Sequence, residues 1–60
     1  MKIYKLTKHF KGIEKGTHFY LIAESEFIGV KEFVLRSEDL SLRLSLNEQE
    51  FQKNFRLIYK

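Results

Sequence analysis

The stretch from Leu40 to Phe51 constrains the fold of this chain more than any other. From Leu40 to Leu46, four leucines alternate with small or charged residues, so an extended strand here has one apolar face and one polar face. Asn47 follows at once and is a favourable helix N-cap, and Glu50 is placed to complete a capping box. Leu46 and Phe51 occupy the two positions of a hydrophobic staple. The pattern predicts a half-buried strand that leads directly into one short helical turn.

The length and composition predict one small domain that spans residues 1–60. A chain of 60 residues buries only about 60% of its unfolded surface, so it needs a dense core. Hydrophobic residues make up 43% of the chain and nine residues are aromatic, which is enough for such a core. There is no cysteine and the longest apolar run, Phe19 to Ala23, is too short to cross a membrane. We therefore expect a cytoplasmic protein with no membrane partner.

The rest of the chain is rich in aromatic and β-branched residues between turn signals. Gly12 and Gly16 bound a loop after the first segment, and the polar triplet Glu24–Glu26 predicts a turn between two strands. Gly29 predicts a bulge or a bend within the second of these strands. The strands that this composition predicts are Thr17 to Ala23, Phe27 to Leu35, and a last strand with Phe55, Leu57 and Tyr59 on one face.

The first ten residues fit two patterns. Ile3, Leu6, Phe10 and Ile13 are spaced as on one face of a helix, whereas Tyr4, Leu6 and Phe10 share the parity of a strand. We favour the strand, which predicts an all-β, five-stranded small antiparallel barrel with one short helical turn before the last strand. The alternative is an α+β fold with an N-terminal helix.

This order of elements resembles that of Src-homology-three-like small barrels. Two segments carry the resemblance: residues 15–19, Lys-Gly-Thr-His-Phe, at the start of strand two, and Asn47 to Phe51 before Phe55. The first segment is also similar to a Lys-Gly-Thr/Asp-x-Phe pattern in small accessory proteins of phages and other mobile elements. The resemblance implies a non-enzymatic accessory protein that acts by binding. The tryptophan pair of the proline-peptide-binding members is absent, so that ligand is not implied.

No group of residues has the pattern of a catalytic or metal site. His9 and His18 have the spacing of no metal-binding helix or zinc module, and no nucleophile elbow surrounds any serine. Glu24 and Glu26 form a pair of carboxylates, but such a pair in a polar turn is usually a solvated surface. We expect no enzyme activity, no cofactor and no metal.

The positive charge is concentrated in the first third of the chain. Residues 1–18 carry five lysines against Glu14 alone, a net charge of +4, whereas residues 19–60 have a net charge of −1. Such a cluster can follow a phosphate backbone, with aromatic rings nearby to stack on bases. A nucleic-acid-binding module is therefore our alternative function, with these candidate residues: Lys2, Lys5, Lys8, Lys11 and Lys15.

Protein binding is the first hypothesis, because two strands carry apolar residues of both parities. Phe27, Phe33 and Leu35 share one parity and Val30 and Val34 share the other, so one set must face outward unless Gly29 shifts the register. An outward apolar set favours a protein partner or self-association into a homodimer. The candidate interaction residues are Tyr20, Ile22, Ile28, Val30 and Val34.

Overall fold

The computed structural model describes all 60 residues and forms one antiparallel sheet of five strands with a single helix. The strand order is β4-β3-β2-β1-β5, so β4 and β5 are the edges and the sheet is open rather than closed into a barrel. The predicted all-β fold is confirmed, as is the strand within the first ten residues; the alternative N-terminal helix is absent. The elements are β1 (Ile3–Leu6), β2 (His18–Phe27), β3 (Val30–Ser37), β4 (Arg43–Asn47), α1 (Glu48–Asn54) and β5 (Phe55–Tyr59).

The core lies on one face of the sheet, beneath α1 and the β1–β2 loop (residues 7–17). Phe51 of α1 stacks on Phe33 of β3, with ring centroids 4.3 Å apart, and on Phe55 of β5 at 5.9 Å. Phe10 and Ile13 of the loop pack against the same cluster. Helix and loop therefore cover one side of the sheet only. The buried apolar residues are Leu6, Phe19, Phe33, Leu35, Leu46, Phe51 and Phe55.

The predicted capping box is present at the start of α1. The Asn47 side-chain oxygen accepts a hydrogen bond from the Glu50 backbone N–H at 2.7 Å, and the Glu50 carboxylate accepts one from the Asn47 N–H at 3.4 Å. Both staple residues, Leu46 and Phe51, are buried in the core. The helix has seven residues and ends at Asn54, so it is longer than the single turn predicted.

The leucine segment is only partly a strand. β4 begins at Arg43, so Leu44 and Leu46 face the core while Leu40 and Leu42 are exposed. The chain turns before the strand, since Leu40 has a positive φ of 64°. The expectation that all four leucines would line the core is therefore wrong.

The turn between β2 and β3 lies four residues later than predicted. β2 continues through the polar residues 24–26, and the turn is formed by Ile28 and Gly29, with φ values of 50° and 75°. Gly29 is thus a turn residue and not a bulge. The register shift lies instead in β2, where Leu21 pairs with Leu35 but Ala23 pairs with Val34, which leaves Ile22 as the extra residue.

Two register shifts move aromatic residues away from the core face. After the shift at Ile22, Phe27 pairs with Val30 and shares its face rather than that of Phe33. In β5, Leu57 pairs with Tyr4 but Tyr59 pairs with Ile3. The prediction that Tyr59 shares a face with Phe55 and Leu57 is therefore wrong, because the extra residue at position 58 interrupts the alternation.

Candidate binding surface

The face of the sheet opposite the core, here called the outer face, carries no helix. In β3 the buried residues Phe33 and Leu35 alternate with Glu32, Val34 and Arg36, which therefore belong to the outer face. Residues directly opposite each other on neighbouring strands share a face, so the register identifies the other members on each strand. An uncovered face that includes apolar and aromatic residues is the main candidate binding surface of the protein.

The β2–β3 hairpin projects beyond the rest of the sheet. β1 pairs with residues 18–20 of β2, so residues 22–27 have a strand neighbour only on the β3 side. The hairpin tip, defined as residues 27–30, is apolar but exposed: Phe27 is 77% exposed, Ile28 84% and Val30 66%. A shallow apolar pocket lies against it, lined by Ser25, Phe27, Ile28, Val30 and Glu32.

Ile28 occupies a backbone conformation that its side chain disfavours. A β-branched residue with φ near +50° is an outlier, and the left-handed region costs an L-residue about 1–2 kcal/mol. Two-residue hairpin turns with positive φ at both positions ordinarily begin with Asn, Asp or Gly. The side chain of Ile28 gains little from packing, because it is 84% exposed. Isoleucine is thus present at position 28, where the turn conformation favours Asn, Asp or Gly.

A second part of the outer face is basic and aromatic. Arg36 of β3 is paired with Tyr20 of β2 and with Arg43 of β4. Ile3 of β1 is paired with Tyr20 and with Tyr59 of β5. One row of side chains therefore crosses all five strands. Next to this row, Lys5 of β1 is paired with Arg56 of β5. We call the set Lys5, Tyr20, Arg36, Arg43, Arg56 and Tyr59 the basic–aromatic patch.

No arginine of the protein takes part in a salt bridge. Lys31 Nζ forms a salt bridge with Glu48 at 3.5 Å, and His18 Nδ1 lies 3.7 Å from a carboxylate oxygen of Glu38. All three arginines belong to the basic–aromatic patch, where Arg36 directly opposes Arg43. Like charges directly opposite each other on neighbouring strands destabilise a sheet. Positive charge has accumulated on this part of the face, and no carboxylate of the chain forms a salt bridge with any of the three arginines.

The aromatic residues divide between the core and the outer face. Six of the nine rings form ring–ring pairs in or beside the core, linked through Phe51 and Phe55. The other three, Tyr20, Phe27 and Tyr59, have no ring partner and belong to the outer face by their register. The outer face therefore offers unpaired rings in both of its parts.

The predicted interaction residues lie close to this arrangement. Tyr20, Val30 and Val34 belong to the outer face, Ile28 is in the hairpin tip, and Ile22 is exposed at the register shift. The arginines were not among the predicted site residues.

The predicted lysine cluster does not form one surface. Lys5 belongs to the outer face, whereas Lys11 lies over the ring of Phe10 at 5.3 Å, and Phe10 packs against the core on the covered side. Lys8 lines a shallow groove between Phe10 and α1. Lys2 precedes β1, and Lys15 is exposed in the turn before Gly16.

The polar side chains elsewhere serve local structure. Asp39 accepts hydrogen bonds from the Ser37 hydroxyl at 2.6 Å and from the Ser41 backbone and hydroxyl at 3.0 and 2.7 Å. These bonds, that from Ser37 first, lower the pKa of Asp39 to about 2. No group of three or more His, Asp or Glu side chains is arranged to hold a metal ion, and no helix is long and apolar enough to cross a membrane.

Comparison with models of protein families, with curated proteins and with solved structures found no match. The function is therefore argued from the residues of the outer face.

Proposed function

We propose that this chain is a non-enzymatic binding protein that engages a protein partner through its projecting β2–β3 hairpin. The observation that supports this proposal is the exposed apolar tip of Phe27, Ile28 and Val30, in which Ile28 holds a left-handed backbone. Departures from locally favourable sequence are expected at functional positions rather than at structural ones. Protein partners commonly bury such exposed aromatic and aliphatic side chains.

The free edge of β2 defines a mode of binding. Residues 22–27 have no strand neighbour on the side away from β3, so an extended segment of a partner can pair with them and continue the sheet. On one face of this edge are Glu24 and Glu26, and on the other are Ala23 and Phe27. A partner strand that alternates basic with apolar residues complements both faces.

The charges on this edge disfavour a second copy as the partner. If two β2 strands paired antiparallel about Ser25, each Glu24 would oppose Glu26 of the other copy. Like charges in such positions destabilise the pairing, and charged residues on edge strands are a common protection against self-association. We therefore propose a different protein as the partner rather than a homodimer through this edge.

Selection from a displayed library of random peptides tests the proposal. We expect the selected peptides to alternate basic and apolar residues, and to lose at least tenfold in affinity for the variant Ile28→Asn. Leu40→Asn is the matched control, since Leu40 is also an exposed aliphatic residue with positive φ but lies in a different loop. Peptides that bind both variants equally well would contradict the proposal.

The family resemblance and the cellular location of this protein stay predictions. The resemblance to small barrels and to accessory proteins of phages and mobile elements depends on two short segments. The cytoplasmic location depends on the composition. Neither is needed for the proposed role of the hairpin.

A further inference from the structure

We infer that the basic–aromatic patch is a second binding site, and that its ligand is single-stranded nucleic acid. The site is separate from the hairpin tip and does not depend on the function proposed for it. It uses a different part of the outer face, where side chains from all five strands lie in one row.

The charge of the patch calls for an anionic ligand. Arg36 opposes Arg43, and Lys5 opposes Arg56, so two pairs of like charges face each other on neighbouring strands. None of the four residues is in a salt bridge. A bound polyanion removes this repulsion, and a guanidinium group can donate two hydrogen bonds to one phosphate.

Glu32 and Glu38 are close to Arg36 in the sequence, and each has a partner of its own. Glu32 of the outer face accepts a hydrogen bond from the Ser45 hydroxyl at 2.7 Å. Glu38 is held against His18 at 3.7 Å. All three arginines are exposed and take part in no salt bridge, so they are available to a ligand.

Tyr20 and Tyr59 favour nucleic acid over other anionic ligands. Tyr20 and Tyr59 lie on either side of Ile3 in the row that crosses the sheet, and neither ring is used in the aromatic core. Unpaired nucleic-acid bases stack on such rings, while the backbone follows the neighbouring cations. An acidic peptide would use the arginines but leave the rings without partners.

The patch is wide enough for several nucleotides. Four spacings between adjacent strands, at about 4.8 Å each, give a row roughly 19 Å across. Bases must be unpaired to stack on the tyrosine rings, and this favours a single strand over a duplex.

Fluorescence anisotropy with a labelled oligothymidylate of about ten nucleotides tests the inference. We expect binding at low salt, and we expect Arg36→Gln and Arg43→Gln each to reduce the slope of log affinity against log salt by about 0.7, the value for one phosphate contact with a single strand. Tyr20→Leu should weaken binding at least about fivefold and leave the slope unchanged. Lys11→Gln is the charge-matched control and should change neither quantity, since Lys11 lies beside Phe10 on the covered side.

Three results would overturn the inference: no binding at low salt, equal competition by polyglutamate, or full affinity in the Tyr20→Leu variant. Equal competition would identify the patch as a site for acidic protein segments. The hairpin variant Ile28→Asn should bind the oligonucleotide normally, so the two proposals can fail independently.

Discussion

Arg36 of β3 and Arg43 of β4 face each other directly on the outer face, and no carboxylate forms a salt bridge with either. Two neighbouring strands thus carry opposed positive charges on a face that no helix covers. Such an arrangement opposes folding, and it is the observation from which we infer an anionic ligand.

Removing one member of this pair should stabilise the free protein. We expect Arg43→Thr to raise the free energy of unfolding by about 0.2–1 kcal/mol at low ionic strength, because it removes the repulsion and adds a residue that favours strands. Urea denaturation measures the change, which should shrink at high salt as the charges are screened. Lys60→Thr, at the end of the chain, is the control. A destabilised Arg43→Thr protein would mean that the arginine supports the fold.

The loop before β4 should make stability depend on pH. The pKa of Asp39 is about 2 in the folded protein, below its ordinary value of 3.8, because the Ser37 and Ser41 groups donate to its carboxylate. Its contribution is therefore fully present above about pH 4 and is lost as the pH falls towards 2. We expect the thermal midpoint of Asp39→Asn to fall less over this range than that of the unchanged protein. Parallel curves for the two proteins would contradict this role.

The capping box should contribute measurably to stability. We expect Asn47→Ala to lower the free energy of unfolding by about 0.5–2 kcal/mol, because the Glu50 N–H loses its acceptor. Asn47→Asp should keep most of the stability, since its carboxylate can accept the same bond and suits the positive end of the helix. Urea denaturation distinguishes the two variants. Equal losses in both would show that the amide group has another role.

The elements that the sequence predicted correctly are those that depend on residues close together in the chain. The capping box depends on residues three apart in the chain, and the strands have the composition that a half-buried sheet requires. The β2–β3 turn was predicted wrongly because Ile28, a β-branched residue, rarely adopts the positive φ that it has in this turn, whereas residues 24–26 are polar. Tertiary pairing and the glycine at position 29 decide the outcome against these local preferences.

The candidate site was largely hidden in the sequence for a different reason. Arg36, Arg43 and Arg56 lie on three strands, and only the register brings them to one face. The shifts at Ile22 and Ile58 reverse the face of every later residue in their strands. Parity alone therefore grouped Phe27 with Phe33, and Tyr59 with Phe55 and Leu57, whereas the register places Phe27 and Tyr59 on the opposite face from these residues. The lysines of residues 1–18 were proposed instead because they are close together in the sequence, but the fold places Lys5 and Lys11 on different sides of the sheet.

The most direct test of our account is the stability of the Ile28→Asn variant. If the hairpin tip is shaped for binding rather than for folding, Asn should be favoured at a turn position with φ of 50°. We predict that urea denaturation will show a gain of about 1 kcal/mol, together with the loss of binding to selected peptides. The control variant Leu40→Asn should be at least as stable as the unchanged protein and should still bind the selected peptides. A less stable Ile28→Asn protein would contradict the account, because it would show that the exposed isoleucine contributes to the fold itself.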